Sequence, residues 1–169
     1  KTASLLLILL SSSLILPAQD SLLNILSDEL MREMNEFKKL PQPPYYISYR
    51  VDDEHEIQME ASLGVLVSST DKHSRSLRTQ VRVGSYKLDN THELRSSSYN
   101  YSYNREINLP VENQADAIRQ ALWKSTDDEY KKAVVNLGKV EGNVAVMIEV
   151  EDRSDDFSDE KAEVFYEPP

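Results

Sequence analysis

A period of two runs through the segment from Tyr45 to Leu88, and it limits the possible fold more than any other feature. Apolar and polar residues alternate in three successive runs, at 45–51, 57–67 and 77–83. These runs are rich in β-branched and aromatic residues, which indicates strands with one buried and one solvated face. Polar segments at 52–56 and 69–73 separate the runs. We therefore predict turns there and an antiparallel meander of three strands.

Two flanking segments have the three-and-four spacing of amphipathic helices. The first, residues 19–39, has its apolar stripe at Leu23, Leu26, Leu30, Met34 and Phe37. The second follows Asn113, the predicted cap, and has its stripe at Ile118, Leu122, Tyr130, Val134 and Leu137, broadened by Ala115, Ala121, Trp123 and Ala133. The predicted class is α+β: an antiparallel three- to four-stranded sheet with two long helices packed on one face.

Several segments leave alternatives open. Gly84 falls where the alternation changes phase, which indicates a β-bulge. The Tyr-rich segment 96–108 fits an extended loop, a functional or mobile one, or else a fourth, edge strand. Thr126 and Glu129 have the spacing of a capping box and predict a kink or restart in the second helix. Residues 139–150 alternate as in a strand, yet they also fit a helix.

The composition excludes some classes of partner. The chain has 169 residues and a formal net charge of −10. Nucleic-acid binding needs clustered cations, so we expect no nucleic-acid partner, and an acidic chain is also a poor ligand for an anionic membrane surface. We interpret the negative charge as a solubilising surface. The chain has no cysteine, which removes disulfides and thiol chemistry.

The ends of the sequence predict export and a longer protein. Residues 1–18 combine Lys1, an apolar run broken by serines, and Pro17-Ala18, which is typical of a secretory signal peptide; an uncleaved anchor is the alternative. We therefore predict three parts: a signal peptide at 1–18, an α+β domain at 19–150, and an acidic linker with the start of a downstream domain at 151–169. The predicted location is the periplasm or the exterior, without membrane contact after cleavage.

One pair of residues invites a metal hypothesis. His55-Glu56 resembles the opening of zinc-peptidase motifs, in which a second histidine one helical turn later completes the site. Here Met59 and Glu60 occupy the positions where that histidine would stand. The pair also falls at the start of a predicted strand, where neighbouring side chains face opposite ways. We assign no catalytic, cofactor-binding or metal residue in this chain.

The remaining polar groups have ordinary interpretations. His73 and His92 are predicted to be solvent-exposed, and three histidines scattered along the chain do not define a catalytic triad. Asp52, Asp53, Glu54 and Glu56 lack the spacing of a calcium loop, so we interpret them as a solvated turn. Two alternatives apply to Tyr99, Tyr101 and Tyr103, which fit edge-strand packing or an aromatic contact surface.

Several segments taken together resemble the N-terminal region of exported proteins related to the TldD/PmbA metallopeptidases, also called modulators of DNA gyrase. The resemblance covers nearly the whole mature chain. It is carried by DEL at 28–30 with Arg32, PYYISY at 44–49, ASLG at 61–64, VRVGSYKLDNT at 81–91, ALW at 121–123, TD at 126–127, YK at 130–131 and DDFS at 155–158.

The resemblance implies an N-terminal, non-catalytic domain followed by a larger β-rich domain. Zinc and its His-Glu-x-x-x-His motif would lie in that downstream part, so no catalytic residue transfers to this chain. It also implies a homo- or heterodimer and an extended peptide substrate, with scaffolding, dimer contact and peptide guidance as the work of this domain. It shifts the expectation for 139–150 toward helix, although Gly138 and Gly142 depart from the family pattern. The alternative is a free-standing secreted binding module without enzymatic activity.

Overall fold

A computed structural model describes residues 21–93, 106–146, 154–165 and 167. In chain order the elements are α1 (Ser21–Phe37), β1 (Pro44–Ser62), β2 (Val65–Val83), β3 (Ile107–Asn108) and α2 (Ala115–Val146). The strands form one antiparallel sheet in the order β1-β2-β3, and both helices contact it. This arrangement confirms the predicted α+β class. Within the described ranges, no helix is both long and apolar enough to cross a membrane.

The strand boundaries differ from the prediction. The predicted turns at 52–56 and 69–73 are wrong, because both segments lie inside long strands that pair with each other. The predicted middle strand instead folds back on itself at Leu63 and Gly64, so that Ser62 pairs with Val65. The third strand of the sheet is the short β3, which pairs with Ser76 and Leu77 of β2. An uninterrupted alternation of apolar and polar residues concealed a two-residue turn.

The core lies on the sheet face that carries the odd-numbered residues of β1 and β2. One cluster joins α1, β2 and α2 through Leu22, Ile25, Leu77, Leu109, Ile118 and Leu122. A second cluster, nearer the start of β1, contains Phe37, Ile47, Val81, Val83, Ala133 and Leu137. Burial of these side chains is the main force that holds the helices on the sheet.

The stripe of α1 is rotated from the predicted one. Leu23 is 57% exposed, whereas Leu22 and Ile25 are buried. The carboxylates of Glu29 and Glu33 are also buried. The helix therefore turns a partly polar face toward the rest of the domain.

The structure decides the alternatives for α2. The helix runs without a break through Thr126, whose hydroxyl donates to the Leu122 carbonyl four residues earlier (2.9 Å), so the predicted kink or restart is wrong. The helix continues to Val146. Of the two alternatives for 139–150, strand or helix, the structure therefore shows helix as far as that residue. Ile118, Leu122 and Leu137 are buried as predicted, but Trp123 is 51% exposed.

The end of β2 turns sharply at Gly84. This residue has φ +108°, and a Cβ there would lie 2.6 Å from the Leu88 carbonyl oxygen, so only glycine fits. Gly84 then forms an isolated antiparallel bridge with Asp89. The register irregularity near this point lies in β1, between Pro44 and Tyr46, which pair with Val83 and Arg82, and not at Gly84 as predicted.

Some sequence-based predictions fall outside the described residues. They are the signal peptide at 1–18 and the segment that carries Tyr99, Tyr101 and Tyr103. Within the predicted acidic linker, part of the described segment packs on the sheet: the Phe157 amide donates to the Tyr86 carbonyl at 3.0 Å.

Candidate functional site

The most prominent surface is a two-stranded ribbon, defined here as residues 54–73. Every residue in it is exposed, whereas over the rest of β1 and β2 only Arg50 and Asp53 are exposed. At the usual rise per residue in a strand, the ribbon is roughly 30 Å long. An isolated pair of strands is only marginally stable in water, so a ribbon of this length depends on its turn and on its attachment to the domain.

The turn at the tip has the geometry that two-residue hairpins favour. Leu63 and Gly64 both have positive φ values, +51° and +79°. Two consecutive left-handed residues match the right-handed twist of paired strands, and Asn-Gly is the usual sequence for such a turn. Leucine in the first position is therefore unusual, and its side chain is fully exposed.

The attachment of the ribbon centres on Arg75, which is buried with 5% of its surface exposed. Its guanidinium donates to Asp53 (2.6 Å), to Asn113 Oδ1 (2.8 Å) and to the Pro110 carbonyl (3.0 Å). The Arg75 hydrogen bond, with a smaller contribution from His73, holds the pKa of Asp53 below its usual value. Asn113, predicted to cap α2, thus connects the ribbon to the helix entry and also donates to Ser21.

The two faces of the ribbon differ in chemistry. Residues directly paired across the strands share a face, so Glu54, Glu56 and Glu60 lie on one side, with Lys72 paired opposite Glu56. The other side carries His55, Ile57 and Met59. Around the tip, large apolar side chains are exposed by 59–102%: Leu63, Val65, Leu66 and Val67. Soluble domains seldom leave such a group uncovered unless it binds something.

The structure places His55 and Glu56 on opposite faces of β1, so they do not converge. His55 lies directly across from His73, with ring centroids 5.6 Å apart. His55 Nε2 is 2.7 Å from Asp71, and His73 Nε2 is 2.7 Å from Asp53. The four side chains form two crossed histidine–carboxylate pairs. Among the described residues, no group of three or more metal-ligating side chains is arranged to hold an ion.

The carboxylates predicted to form a solvated turn are distributed along a strand instead. Asp53 faces Arg75 and His73, whereas Asp52 lies on the other face and accepts from Arg50 (3.2 Å). They therefore act separately.

A second polar cluster lies at the opposite end of the sheet. Asp89 is completely buried and accepts hydrogen bonds from the Tyr45 hydroxyl (2.5 Å), the Thr91 amide (2.6 Å) and Arg82 (2.9 Å). Burial alone would raise the pKa of Asp89, but these donors hold it below its usual value.

The segment after α2 docks beside this cluster. Asp156 accepts from the Asp89 amide (2.8 Å) and lies 2.7 Å from His92 Nδ1, so His92 is largely covered rather than free in solvent as predicted. The Phe157 ring packs among Tyr45, Tyr46 and Tyr86. The cluster therefore fixes the path of the chain after the domain.

Sequence reasoning missed a buried carboxylate pair on α1. Glu29 and Glu33 are both buried and share one cation, Arg32, which donates to Glu29 (2.6 and 3.0 Å) and to Glu33 (2.7 Å). Burial, opposed by Arg32, raises the pKa of Glu33 to about 7. The Tyr49 hydroxyl lies 2.7 Å from the Thr126 hydroxyl, and burial raises its pKa as well. The Tyr49–Thr126 pair joins β1 to α2, and the carboxylates share Arg32 within α1, so we assign both groups to stability.

Comparison with known proteins adds no relative. No family model matches the chain, and no curated protein or solved structure gives a significant match. The candidate site is therefore defined by its geometry alone, and its centre is the ribbon.

Proposed function

We propose that this chain is the non-catalytic N-terminal domain of an exported TldD/PmbA-like protein and that its ribbon guides an extended peptide. In this proposal the helices and the sheet are the scaffold, and the ribbon is the contact surface for a peptide or for a partner subunit. Zinc and the catalytic residues belong to the downstream domain. The proposal combines the sequence resemblance with the exposure of the ribbon.

The observation that carries it is the free edge of β1. In the described sheet β1 has one neighbour, β2, so the backbone groups on its other side have no strand partner. An exposed edge of this kind is a template for an added strand, which is the mode of peptide recognition called β-augmentation. The ribbon presents that edge well away from the helices, where a peptide has room to approach.

The test is amide hydrogen exchange on the intact protein with a short capped peptide in which threonine and valine alternate. Strand addition predicts slower exchange of β1 amides between 54 and 62. A peptide N-methylated at every residue cannot donate along either edge and should give no protection. Unchanged exchange in β1 with the unmodified peptide would contradict the proposal.

A matched variant locates the effect. Replacing residues 54–74 by Asn-Gly joins Asp53 to its cross-strand partner Arg75 by a two-residue turn, which keeps the register and leaves the clusters around Leu77 and Val81 intact. This variant should fold and should lose peptide binding.

Two further measurements separate this proposal from a free-standing binding module. A reading frame that continues past Pro169 into a His-Glu-x-x-x-His motif supports the peptidase assignment, and so does about one zinc per subunit in the complete protein. A stop codon there, or no zinc, favours the free-standing module, for which the same ribbon remains the binding surface.

A further inference from the structure

The free edge of β1 carries a row of like charges. Glu54, Glu56 and Glu60 are exposed on one face of the ribbon, and no salt bridge involves them within the described part of the chain. Their neighbours across the hairpin are Ser74, Lys72 and Ser68, so one cation stands opposite three carboxylates. The edge strand is therefore more acidic than the strand behind it.

The opposite face of the same edge carries two exposed apolar side chains next to His55. Ile57 and Met59 point there and are 56% and 69% exposed. Because side chains alternate along a strand, a peptide that pairs with β1 places every second residue beside the glutamates and the others beside Ile57 and Met59. The two faces thus impose different demands on alternate positions of the added strand.

We infer that the preferred occupant of this edge is an extended peptide in which basic residues alternate with apolar ones. This inference rests on the proposed function and specifies the partner of the same edge. Lys or Arg opposite Glu54, Glu56 and Glu60 forms opposite-charge cross-strand pairs, which stabilise a sheet, whereas like charges there oppose pairing. The apolar positions of the peptide cover Ile57 and Met59.

The same charges disfavour a second copy of this chain as the occupant. If two β1 strands pair antiparallel about Gln58, Glu56 of each copy faces Glu60 of the other. Two such repulsive pairs oppose self-association through this edge. The outer edge of β2 is a poorer choice for a basic peptide, since Ser68, Thr70 and Ser74 carry no charge there and Lys72 repels it.

The experiment compares capped peptides of equal length in which valine alternates with lysine, threonine or glutamate. Binding to the intact protein is titrated at low salt, and amide exchange in β1 shows where each peptide lies. We expect the lysine peptide to bind about tenfold more tightly than the threonine peptide, because three charge pairs act together, and the glutamate peptide to bind most weakly. The difference should shrink as salt screens the charges.

Two triple variants distinguish the glutamate row from the net charge of the protein. Replacing Glu54, Glu56 and Glu60 by glutamine should abolish the lysine preference while the threonine peptide still protects β1. The control replaces three exposed carboxylates away from the ribbon, Asp28→Asn, Glu112→Gln and Glu141→Gln, which changes the net charge equally. This control should keep the tenfold preference.

Each remaining outcome overturns the inference in a recognisable way. Equal protection of β1 by the lysine and threonine peptides refutes the charge preference and leaves peptide guidance standing. No protection by any peptide refutes both. A lysine preference that survives the ribbon variant, or that the control abolishes, assigns it to general electrostatic attraction and refutes the role of the glutamate row.

Discussion

Arg75 donates a 2.6 Å hydrogen bond to Asp53 at the point where the ribbon leaves the helix-covered part of the sheet. The same guanidinium reaches the Pro110 carbonyl and Asn113, so one buried cation connects both ribbon strands to the entry of α2. Because Arg75 is buried and its three partners are all acceptors, the site depends on the positive charge at its centre.

Replacing Arg75 by methionine should therefore destabilise the protein by about 2–4 kcal/mol, since Asp53, Asn113 and the Pro110 carbonyl lose their donor. Urea denaturation measures the change. The matched control is Arg78→Met, whose pair with Glu106 (3.2 Å) is exposed, so its loss should destabilise the protein much less than the loss of Arg75. Equal losses in the two variants would show that Arg75 has no special role at the attachment of the ribbon.

Glu33 should make stability decrease as the pH rises. Its folded-state pKa of about 7 is above the ordinary value of 4.5, so the folded protein binds the proton more tightly than the unfolded chain. This contribution is complete below about pH 4.5 and is lost as the pH rises through 7. Urea denaturation at a series of pH values should show the decrease, of about 1–3 kcal/mol for a shift of this size.

Glu33→Gln should remove the decrease and make the protein more stable than the wild type at pH values above 7, because the amide carries no charge to bury. Glu36→Gln is the control: this side chain is exposed on the same helix and pairs with Lys39, so the decrease should persist. A wild-type protein whose stability is constant between pH 5 and 8 would contradict the prediction.

Asp89 has the opposite dependence on pH. Its pKa is held below the ordinary value, so its contribution is present at neutral pH and is lost as the pH falls through the folded-state pKa. Asp89→Asn should lower the free energy of unfolding by about 2–4 kcal/mol at pH 7. The reason is that the new amide nitrogen would face one of the donors from Tyr45, Thr91 or Arg82. Thermal denaturation at neutral and acidic pH measures both effects.

The control for this site is Asp155→Asn, a change at an exposed carboxylate near the docked segment. It should alter stability by less than about 0.5 kcal/mol. If Asp89→Asn and Asp155→Asn behave alike at pH 7, the hydrogen bonds around Asp89 do not stabilise the fold.

Leu63→Asn should stabilise the ribbon without affecting the rest of the domain. Asparagine tolerates the positive φ of this position better than leucine does, and Asn-Gly is the favoured pair for such a turn. We expect amide exchange in 54–73 to slow about threefold. The control Leu66→Asn removes a similar exposed side chain from a strand position, and it should not slow exchange. Slower exchange in both variants would mean that lost hydrophobicity, rather than turn geometry, is responsible.

The fold class could be predicted from the sequence because period two and period 3.6 are both long and regular in this chain. The position of the turn could not, because Leu63 preserves the alternation and only Gly64 signals a turn. The polar segments around Asp53 and Asp71 resemble loops in composition, yet they form a strand pair whose two faces are both exposed. Nothing is buried there to require apolar residues.

The candidate site was partly visible as the alternating glutamates of β1. The exposure of this site could not be predicted, because the sequence does not show that both faces of 54–73 lie beyond the helices. The buried pair Glu29 and Glu33 was missed for a related reason: a charged residue on a helix is usually placed on its solvated side. Their spacing of four around Arg32 was a signal, since two carboxylates can share one cation in that arrangement.

The turn joins the two strands of the ribbon through only two residues. The length of the ribbon can therefore evolve independently of the domain. Inserting two residues in each strand would extend its reach by roughly 7 Å and keep every side chain on its original face. Inserting one residue in each would exchange the acidic and apolar sides beyond that point. Small paired insertions are thus enough to change the reach of the ribbon or to move its acidic row to the other side.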